Sequence, residues 1–174
     1  MQRVRFLSAQ LSFLLAAAIG CSKDPLAGLD SGTGPAVSDG DLFRLAQPAS
    51  AWVYYKRSTT PIVRESVPHP AQQILVRFNP TAATQLDVQG KVRAAAFFPD
   101  SSVIVKELFN SGAITSYVVM MKLTGSASAG FGGWVWGEYT PIGSAKYSTT
   151  GRGGACSSCH SVGIDYTRMN DSHP

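Results

Sequence analysis

The stretch Val103-Ile104-Val105-Lys106-Glu107-Leu108-Phe109 decides the fold class, because β-branched and large apolar residues dominate it and the turn residues Asn110-Ser111-Gly112 follow directly. A second apolar run occupies residues 117–123, and two such runs joined by a short glycine-containing turn predict a β-hairpin. Side chains alternate between the two faces of a strand. One face of the first strand therefore carries Ser102, Ile104, Lys106 and Leu108, and the other carries Val103, Val105, Glu107 and Phe109.

Outside this hairpin, the other apolar segments are equally short, and Pro, Gly or Asn separates them: residues 52–55, 74–78 and 134–139. Two segments have helical character. Residues 81–89 follow Pro80 and end at Gly90, and residues 41–46 are long enough for one helical turn. Residues 143–155 contain too much Gly, Ser and Thr for regular structure. The sequence therefore predicts a mainly β or α+β domain, an antiparallel sheet with one or two helices.

The composition fits one domain of this kind and excludes some partners. The chain has 174 residues, of which 44% are apolar and 15% charged, enough for one packed core. Its formal charge is +4, but residues 1–20 contain two of the 15 basic residues and none of the 11 acidic ones. The rest of the chain has a net charge of +2 and no basic run, so we expect no nucleic-acid partner.

The amino terminus has the pattern of an export signal. Two arginines precede an apolar run at residues 6–19, which is too short to span a bilayer comfortably. Residues 18–21 resemble the lipobox of bacterial lipoproteins, which predicts that residues 1–20 are a lipoprotein signal peptide and that Cys21 carries the lipid. The alternative is an ordinary secreted protein in which a cysteine follows the signal by chance.

The segment that begins at Cys21 is small, polar and rich in Gly and Asp. We interpret residues 21–41 as a flexible tether and residues 42–174 as the folded domain. Ser22 follows the cysteine, which resembles the sorting pattern of outer-membrane lipoproteins in enteric bacteria. We therefore expect a lipoprotein of the cell envelope that faces the periplasm and contacts the membrane through its lipid anchor.

The segment Cys156-Ser157-Ser158-Cys159-His160 has the spacing of a c-type heme attachment sequence. Two thiolates add to the vinyl groups of the porphyrin, and the histidine is the proximal ligand of the iron. A zinc half-site, a redox dithiol and an exposed disulfide are the alternatives. Zinc needs about four ligands, and the other histidines are His69 and His173. The sequence therefore predicts one covalent heme c per chain, bound near the carboxyl terminus by Cys156, Cys159 and His160.

The second axial position of the iron has three candidate methionines. Met169 closely follows His160 and would have to wrap around the porphyrin edge to reach the opposite face. Met120 and Met121 are adjacent in a predicted strand, so they point to opposite faces. Methionines in strands are more often core residues than ligands, so we expect five-coordinate iron with one open face.

Several segments between residues 52 and 168 occur in a distinctive order: Trp52-Val53, Val76-Arg77-Phe78-Asn79-Pro80, residues 98–108, Met121-Lys122, Gly133-Trp134-Val135-Trp136, the heme motif, Asp165 and Thr167-Arg168. Together they resemble the cytochrome P-460 family and its relatives, the β-sheet cytochromes c′ (cytochrome c′-beta). The resemblance implies a mainly β protein that binds heme c with a histidine below the iron and an open upper face. It also implies a homodimer, the usual state in the family.

The resemblance gives a role to Lys106. In the cytochromes P-460, a lysine in the corresponding Val-Lys-Glu-Leu stretch is covalently joined to a meso carbon of the porphyrin. Lys106 shares its predicted face with Ile104 and Leu108, where a lysine must reach solvent, find a partner or become neutral. A neutral amine beside a porphyrin edge is a usable nucleophile. Taken alone, the pattern favours a solvent-facing lysine on an edge strand.

The chain departs from the family at the open face of the heme. In hydroxylamine-oxidising members, a distal carboxylate moves protons; its position falls on Val118 here, and that of a distal arginine falls on Ile74. Glu138 would replace the carboxylate if its strand turns that face inward. Otherwise the pocket is expected to be apolar, with a lining of Phe97, Phe98, Ile104, Val118 and Trp136.

Two classes of function remain open. The first is a heme-dependent oxidoreductase that acts on hydroxylamine or nitric oxide and passes electrons to an unidentified redox partner. The second is a non-enzymatic cytochrome that binds nitric oxide or carries electrons. A distal carboxylate near an iron-bound ligand favours the first class, and an apolar pocket favours the second.

Overall fold

A computed structural model describes residues 34–47, 51–63 and 69–169 of the chain. The predicted signal peptide, the predicted lipidation site Cys21 and most of the predicted tether lie outside these residues. No helix within the described ranges combines the length and the apolar character that crossing a bilayer requires.

The described residues form one antiparallel sheet, which confirms the mainly β class. Its strands are β1 (Val53–Tyr54), β2 (Ile62–Val63), β3 (Gln73–Phe78), β4 (Val103–Asn110), β5 (Ala113–Lys122), β6 (Trp134–Tyr139) and β7 (Ala145–Tyr147). The order is β1-β3-β4-β5-β6-β7, and β2 pairs with the start of β3 while β1 pairs with its end. Strands β4 and β6 follow the predicted segments closely, whereas β5 begins at Ala113, before the predicted segment of residues 117–123.

The hairpin of β4 and β5 forms as predicted. Only Ser111 and Gly112 separate the two strands, and both have a positive φ, of 51° and 78°. Positive φ at both central residues is typical of two-residue turns whose twist matches that of the strands. The turn sets a register in which Lys106 lies opposite Val118, with a bulge after Leu108.

Among the described residues, three short α-helices accompany the sheet: α1 (Asp39–Arg44), α2 (Pro80–Ala83) and α3 (Gly154–His160). The helix predicted over residues 81–89 is therefore wrong in length. Asn79 caps α2 at its start, but the Asp87 carboxylate accepts hydrogen bonds from the N–H groups of Gln89 and Lys91. Such local side-chain bonds stabilise a turn in place of a longer helix.

The prediction of irregular structure over residues 143–155 is also wrong in part. Strand β7 adds the last edge of the sheet, and a 3-10 helix at Thr149–Gly151 leads into α3. The glycines and hydroxyl residues of this stretch therefore supply the tight connections between short elements, and the main chain is ordered by pairing with β6.

The two faces of the sheet have separate cores, as strand alternation requires. The front face, which α3 covers, carries the first cluster: Ile74, Val76, Phe78, Ile104, Leu108, Val118, Met120, Trp134 and Trp136. The back face, which α1 covers, carries the second: Val103, Val105, Val119, Met121, Val135 and Tyr139. Alternate residues of the same strands thus face two different environments.

The folded domain begins before residue 42, the boundary predicted from the sequence. Gly34 forms a bridge with Ser126, and Val37 is buried in the core of the back face. Asp39, at the start of α1, accepts hydrogen bonds from the Tyr139 hydroxyl, the Ser148 hydroxyl and the Thr149 N–H. The carboxyl-terminal part of the predicted tether is therefore packed structure.

Candidate functional site

The helix α3 brings the predicted heme-binding residues together at the front face. Cys156 and Cys159 lie three residues apart in α3, so their side chains occupy one side of the helix. Neither cysteine is in a disulfide. With His160 they line a cavity of about 390 Å³ between α3 and strands β5, β6 and β7. The three residues of the predicted attachment motif thus share one cavity.

A glycine allows α3 to approach the sheet this closely. Gly153 precedes the helix with φ of 70°, and a Cβ atom there would lie 2.2 Å from Cδ1 of Trp136. Any larger residue would push the loop away from the indole. The Trp136 N–H is buried and has no hydrogen-bond acceptor among the described residues. The Trp136 side chain that carries this donor is one of the residues that line the same cavity.

His160 is held in the form that ligates a metal. Its Nδ1 lies 2.8 Å from the carbonyl oxygen of Tyr166, and because a carbonyl only accepts, Nδ1 carries the proton and Nε2 does not. The ring packs edge-on against Trp136, with 4.8 Å between the ring centroids. Burial, assisted by the charges of Lys106, His69 and Arg168, lowers the pKa of His160 to about 4, although the bond to Tyr166 opposes this. The imidazole is therefore neutral at pH 7.

One row of side chains crosses the front face opposite α3. The strand register aligns Val76, Lys106, Val118, Glu138 and Tyr147 on neighbouring strands. Adjacent strands lie about 4.8 Å apart, so Lys106 and Glu138 are separated by roughly two strand spacings. The row therefore places the amine of Lys106 and the carboxylate of Glu138 on the face of the sheet that α3 covers.

Lys106 lies on the front face, as predicted. It is half-buried, and it lines a small cavity together with His160, Met120 and Arg168. This cavity adjoins the larger one, since His69, Val118 and His160 border both. Lys106 is therefore near His160 and on an inner strand of the sheet, not on the edge strand that the pattern alone favoured.

Glu138 also faces the cavity and is almost fully buried. His69 Nδ1 lies 3.7 Å from one carboxylate oxygen, and Lys146 Nζ lies 3.6 Å from the other; Lys146 also hydrogen-bonds Ser116. Burial raises the pKa of Glu138, but interactions with His69, Ser116 and Lys146 outweigh it, so the pKa lies below its ordinary value. Glu138 is therefore an ionised carboxylate at neutral pH.

The expected apolar lining is wrong in two respects. Phe97 is 71% exposed and Phe98 packs edge-on against Trp134 in the core, so neither borders the two cavities. Ile104, Val118 and Trp136 do line them, but charged groups line the larger cavity as well. Glu138 also affects Cys156. Burial, together with the charges of Glu138 and Cys159, raises the pKa of the Cys156 thiol.

The candidate methionine ligands divide between the two faces. Met121 is buried in the core of the back face, so it cannot reach a group bound at the front. Met120 and Met169 are buried on the front face and line the small cavity with His160. Met120 and Met169 are therefore the two methionines whose position allows them to approach a group bound at His160.

Sequence reasoning missed His69 and Lys146 as part of the site. His69 stands between two prolines and has the pattern of a turn, and Lys146 lies in the stretch predicted to be irregular. Both reach Glu138 only because the loop before β3 and the edge strand β7 meet at the end of β6. The one available signal was the alternation of Glu138 with Trp134 and Trp136.

No protein-family model matches this sequence, and no curated protein is significantly similar to it. The likeness to cytochromes P-460 therefore stays a proposal carried by the residues themselves. Within the described ranges, no three His, Cys, Asp or Glu side chains converge into a group that could hold a metal ion.

Proposed function

We propose that this chain is a c-type heme protein that resembles cytochrome P-460 and oxidises a small nitrogen compound, hydroxylamine or nitric oxide. Cys156 and Cys159 hold the porphyrin through two thioethers, His160 ligates the iron from α3, and Lys106 is joined to a meso carbon. The bound heme supplies an iron that binds the nitrogen compound and accepts its electrons, which then pass to a redox partner.

The residues at α3 fit a covalent heme. Two cysteines outside any disulfide lie on one side of a helix, next to a neutral imidazole whose Nε2 is unprotonated. The cavity of about 390 Å³ separates this helix from the sheet. The buried Trp136 N–H lacks an acceptor in the described part of the chain, and a bound group with oxygen atoms would supply one.

The carboxylate of Glu138 is the observation that favours an enzyme over a gas-binding protein. It lies on the face of the sheet opposite His160 and is ionised, so it accepts a proton from an N–H or O–H group of a bound substrate. His69 lies 3.7 Å from this carboxylate, at the edge of the same cavity. Glu138 thereby takes the place that the missing acid at Val118 left open.

A non-enzymatic cytochrome that binds nitric oxide is the second candidate. The neighbours of Lys106 in the row, Val76 and Val118, are apolar, as are Ile104 and Met120 beside them. A ligand held over this part of the face contacts the hydrocarbon of these strand residues, which suits a small neutral gas. The two candidates differ in whether the ligand reaches Glu138.

The export signal and Cys21 support a location in the cell envelope. In this proposal Cys21 carries the lipid, and the heme domain faces the periplasm, from the outer membrane. The homodimer of the family is part of the same proposal. Replacement of Cys21 by Ser should release a heme-loaded protein from the membrane fraction, with the spectrum unchanged.

The absorption spectrum of the ferrous protein, with and without carbon monoxide, tests the proposal. We expect five-coordinate, high-spin iron that binds carbon monoxide without displacing a protein ligand. Met120→Leu and Met169→Leu should leave the resting spectrum unchanged, and Met121→Leu on the back face is the matched control. A low-spin spectrum that becomes high-spin in either front-face variant would show that a methionine closes the iron.

A further inference from the structure

The loop that follows α3 is fastened to the sheet by a buried ion pair. The Lys122 side chain is 2% exposed, and its Nζ lies 2.9 and 3.0 Å from the two carboxylate oxygens of Asp165. Lys122 is the last residue of β5 and projects from the front face, beside Trp134. A buried charge that loses its partner is strongly destabilising, so this contact fixes Asp165 to the sheet.

Asp165 makes two further bonds that hold its backbone as well as its side chain. Its carboxylate accepts the N–H of Phe98 at 2.8 Å, and its carbonyl oxygen accepts the indole N–H of Trp134 at 2.9 Å. Asp165 and the next residue, Tyr166, both have a positive φ, of 44° and 62°. Such conformations cost free energy in residues other than glycine and persist only where the surroundings impose them.

The carbonyl oxygen of Tyr166 accepts the Nδ1–H of His160. Its direction depends on the two left-handed residues that the Asp165 contacts impose. We propose that Asp165, held by Lys122, is a positioning residue for His160: it aims the Tyr166 carbonyl at the imidazole and so strengthens the imidazole as an iron ligand. This role rests on the proposed function, because it concerns His160 as the proximal ligand of a heme.

The physical consequence is a change in the electronic character of the ligand. A carbonyl that accepts the Nδ1 proton raises the basicity of the ring and strengthens its bond to a metal. A more basic ligand favours ferric over ferrous iron, so the intact contact should lower the midpoint potential. Loosening the loop should therefore weaken the iron–histidine bond and raise the potential, even if the heme stays attached through Cys156 and Cys159.

The variant Asp165→Asn tests this role, because it removes the charge but keeps an oxygen for the Phe98 N–H. In the heme-loaded protein we expect the iron–histidine stretching band of the ferrous state to move to lower frequency. We also expect the ratio of ferrous to ferric protein at a given potential to increase about tenfold. This corresponds to a rise of ~59 mV in the midpoint potential of a one-electron couple. The matched control is Glu107→Gln, the same change in the buried ion pair of the back face.

A band and a potential that stay at the wild-type values in Asp165→Asn would overturn the positioning role, and so would equal shifts in Glu107→Gln. If Asp165→Asn does not fold, the double variant Lys122→Met/Asp165→Asn leaves no unpaired charge and gives the same two readouts. If the wild-type protein contains no thioether-bound heme or no iron–histidine band, the proposed function itself fails and the role falls with it. An unshifted band in heme-loaded variants overturns the role alone.

Discussion

Among the described residues, each face of the sheet has an ion pair in which both side chains are buried, and these two pairs hold different parts of the chain. At the front, the ion pair of Lys122 and Asp165 fastens the loop after α3 to the sheet. At the back, Arg77 Nε lies 3.1 Å from Glu107, and the guanidinium stacks on Trp52 with 4.7 Å to the ring centroid. Both pairs project from central strands of the same sheet.

The back pair is satisfied by structural partners. The Arg77 guanidinium also donates hydrogen bonds to the carbonyl oxygens of Ala46 and Gln47, just after α1. It therefore joins the sheet to the amino-terminal helix, away from both cavities that contain His160. In the front pair, by contrast, Asp165 directly precedes Tyr166, whose carbonyl oxygen accepts the hydrogen bond from His160. Side chains that alternate along the same sheet thus have different roles. The ion pair on the back face stabilises the fold, and the ion pair on the front face positions residues of the candidate site.

The largest expected effect tests the stability of the back face. Glu107→Ala leaves the Arg77 guanidinium buried without its carboxylate, which should lower the free energy of unfolding by about 3–5 kcal/mol. Chemical denaturation measures this loss. The absorption spectrum of the folded, heme-loaded variant should stay that of the wild type. A spectral change, or a loss well under 1 kcal/mol, would remove the contrast between the faces.

A smaller effect, on activity alone, is expected at the front. Glu138→Gln keeps the shape of the side chain but removes the proton acceptor, so the rate of hydroxylamine oxidation should fall about 10²-fold, or about 2.7 kcal/mol. Steady-state turnover with an artificial electron acceptor measures the rate, and denaturation checks the fold. If the wild-type protein shows no turnover of hydroxylamine, or if Glu138→Gln turns it over at the wild-type rate, the gas-binding cytochrome is favoured.

The smallest effect concerns Asp39, which joins α1 at the back to the loop before α3. Burial raises the pKa of Asp39, but its bonds to Thr149, Ser148 and Tyr139 outweigh this and lower it below the ordinary value of 3.8. A lowered folded-state pKa contributes stability that is present above pH 3.8 and is lost as the pH falls through the folded-state value.

Asp39→Asn should therefore cost about 1 kcal/mol at pH 7 and less at acidic pH, where the wild-type carboxyl is also protonated. Thermal unfolding of both proteins, measured in steps of about one pH unit from about pH 2.5 to pH 7, gives the difference in their stability at each pH. A constant difference at every pH would show that the carboxylate charge contributes nothing to the fold.

The central strands could be predicted because their signal is local. Residues 103–109 and 134–139 are rich in β-branched or aromatic residues, and the alternation of side chains along a strand correctly placed Lys106 on the face of Ile104 and Leu108. The same alternation grouped Glu138 with Trp134 and Trp136 but left open which way that face turns. The helix over residues 81–89 failed because the Asp87 side chain competes for backbone N–H groups. Propensity alone does not include such a bond.

The rest of the site depends on contacts between distant segments. Asp39 and Ser148 are more than 100 residues apart, and the Gly- and Asp-rich composition around Asp39 gave the pattern of a tether. His69 and Lys146 reach Glu138 from the loop before β3 and from β7, two segments that are distant along the chain. Chain composition carries no information on such pairings, which arise only when the sheet has formed.

Protease digestion of the purified protein, followed by mass spectrometry of the heme-containing product, tests the central claim most directly. We predict one heme that carries two peptides, one with Cys156 and Cys159 and the other with Lys106. Lys106→Met should retain the first peptide and lose the second, with little loss of stability, because an apolar residue replaces a half-buried amine. Recovery of Lys106 in an unmodified peptide from heme-loaded protein would favour the gas-binding class. Free thiols at Cys156 and Cys159 in protein produced in a host that attaches heme c would contradict the heme site itself.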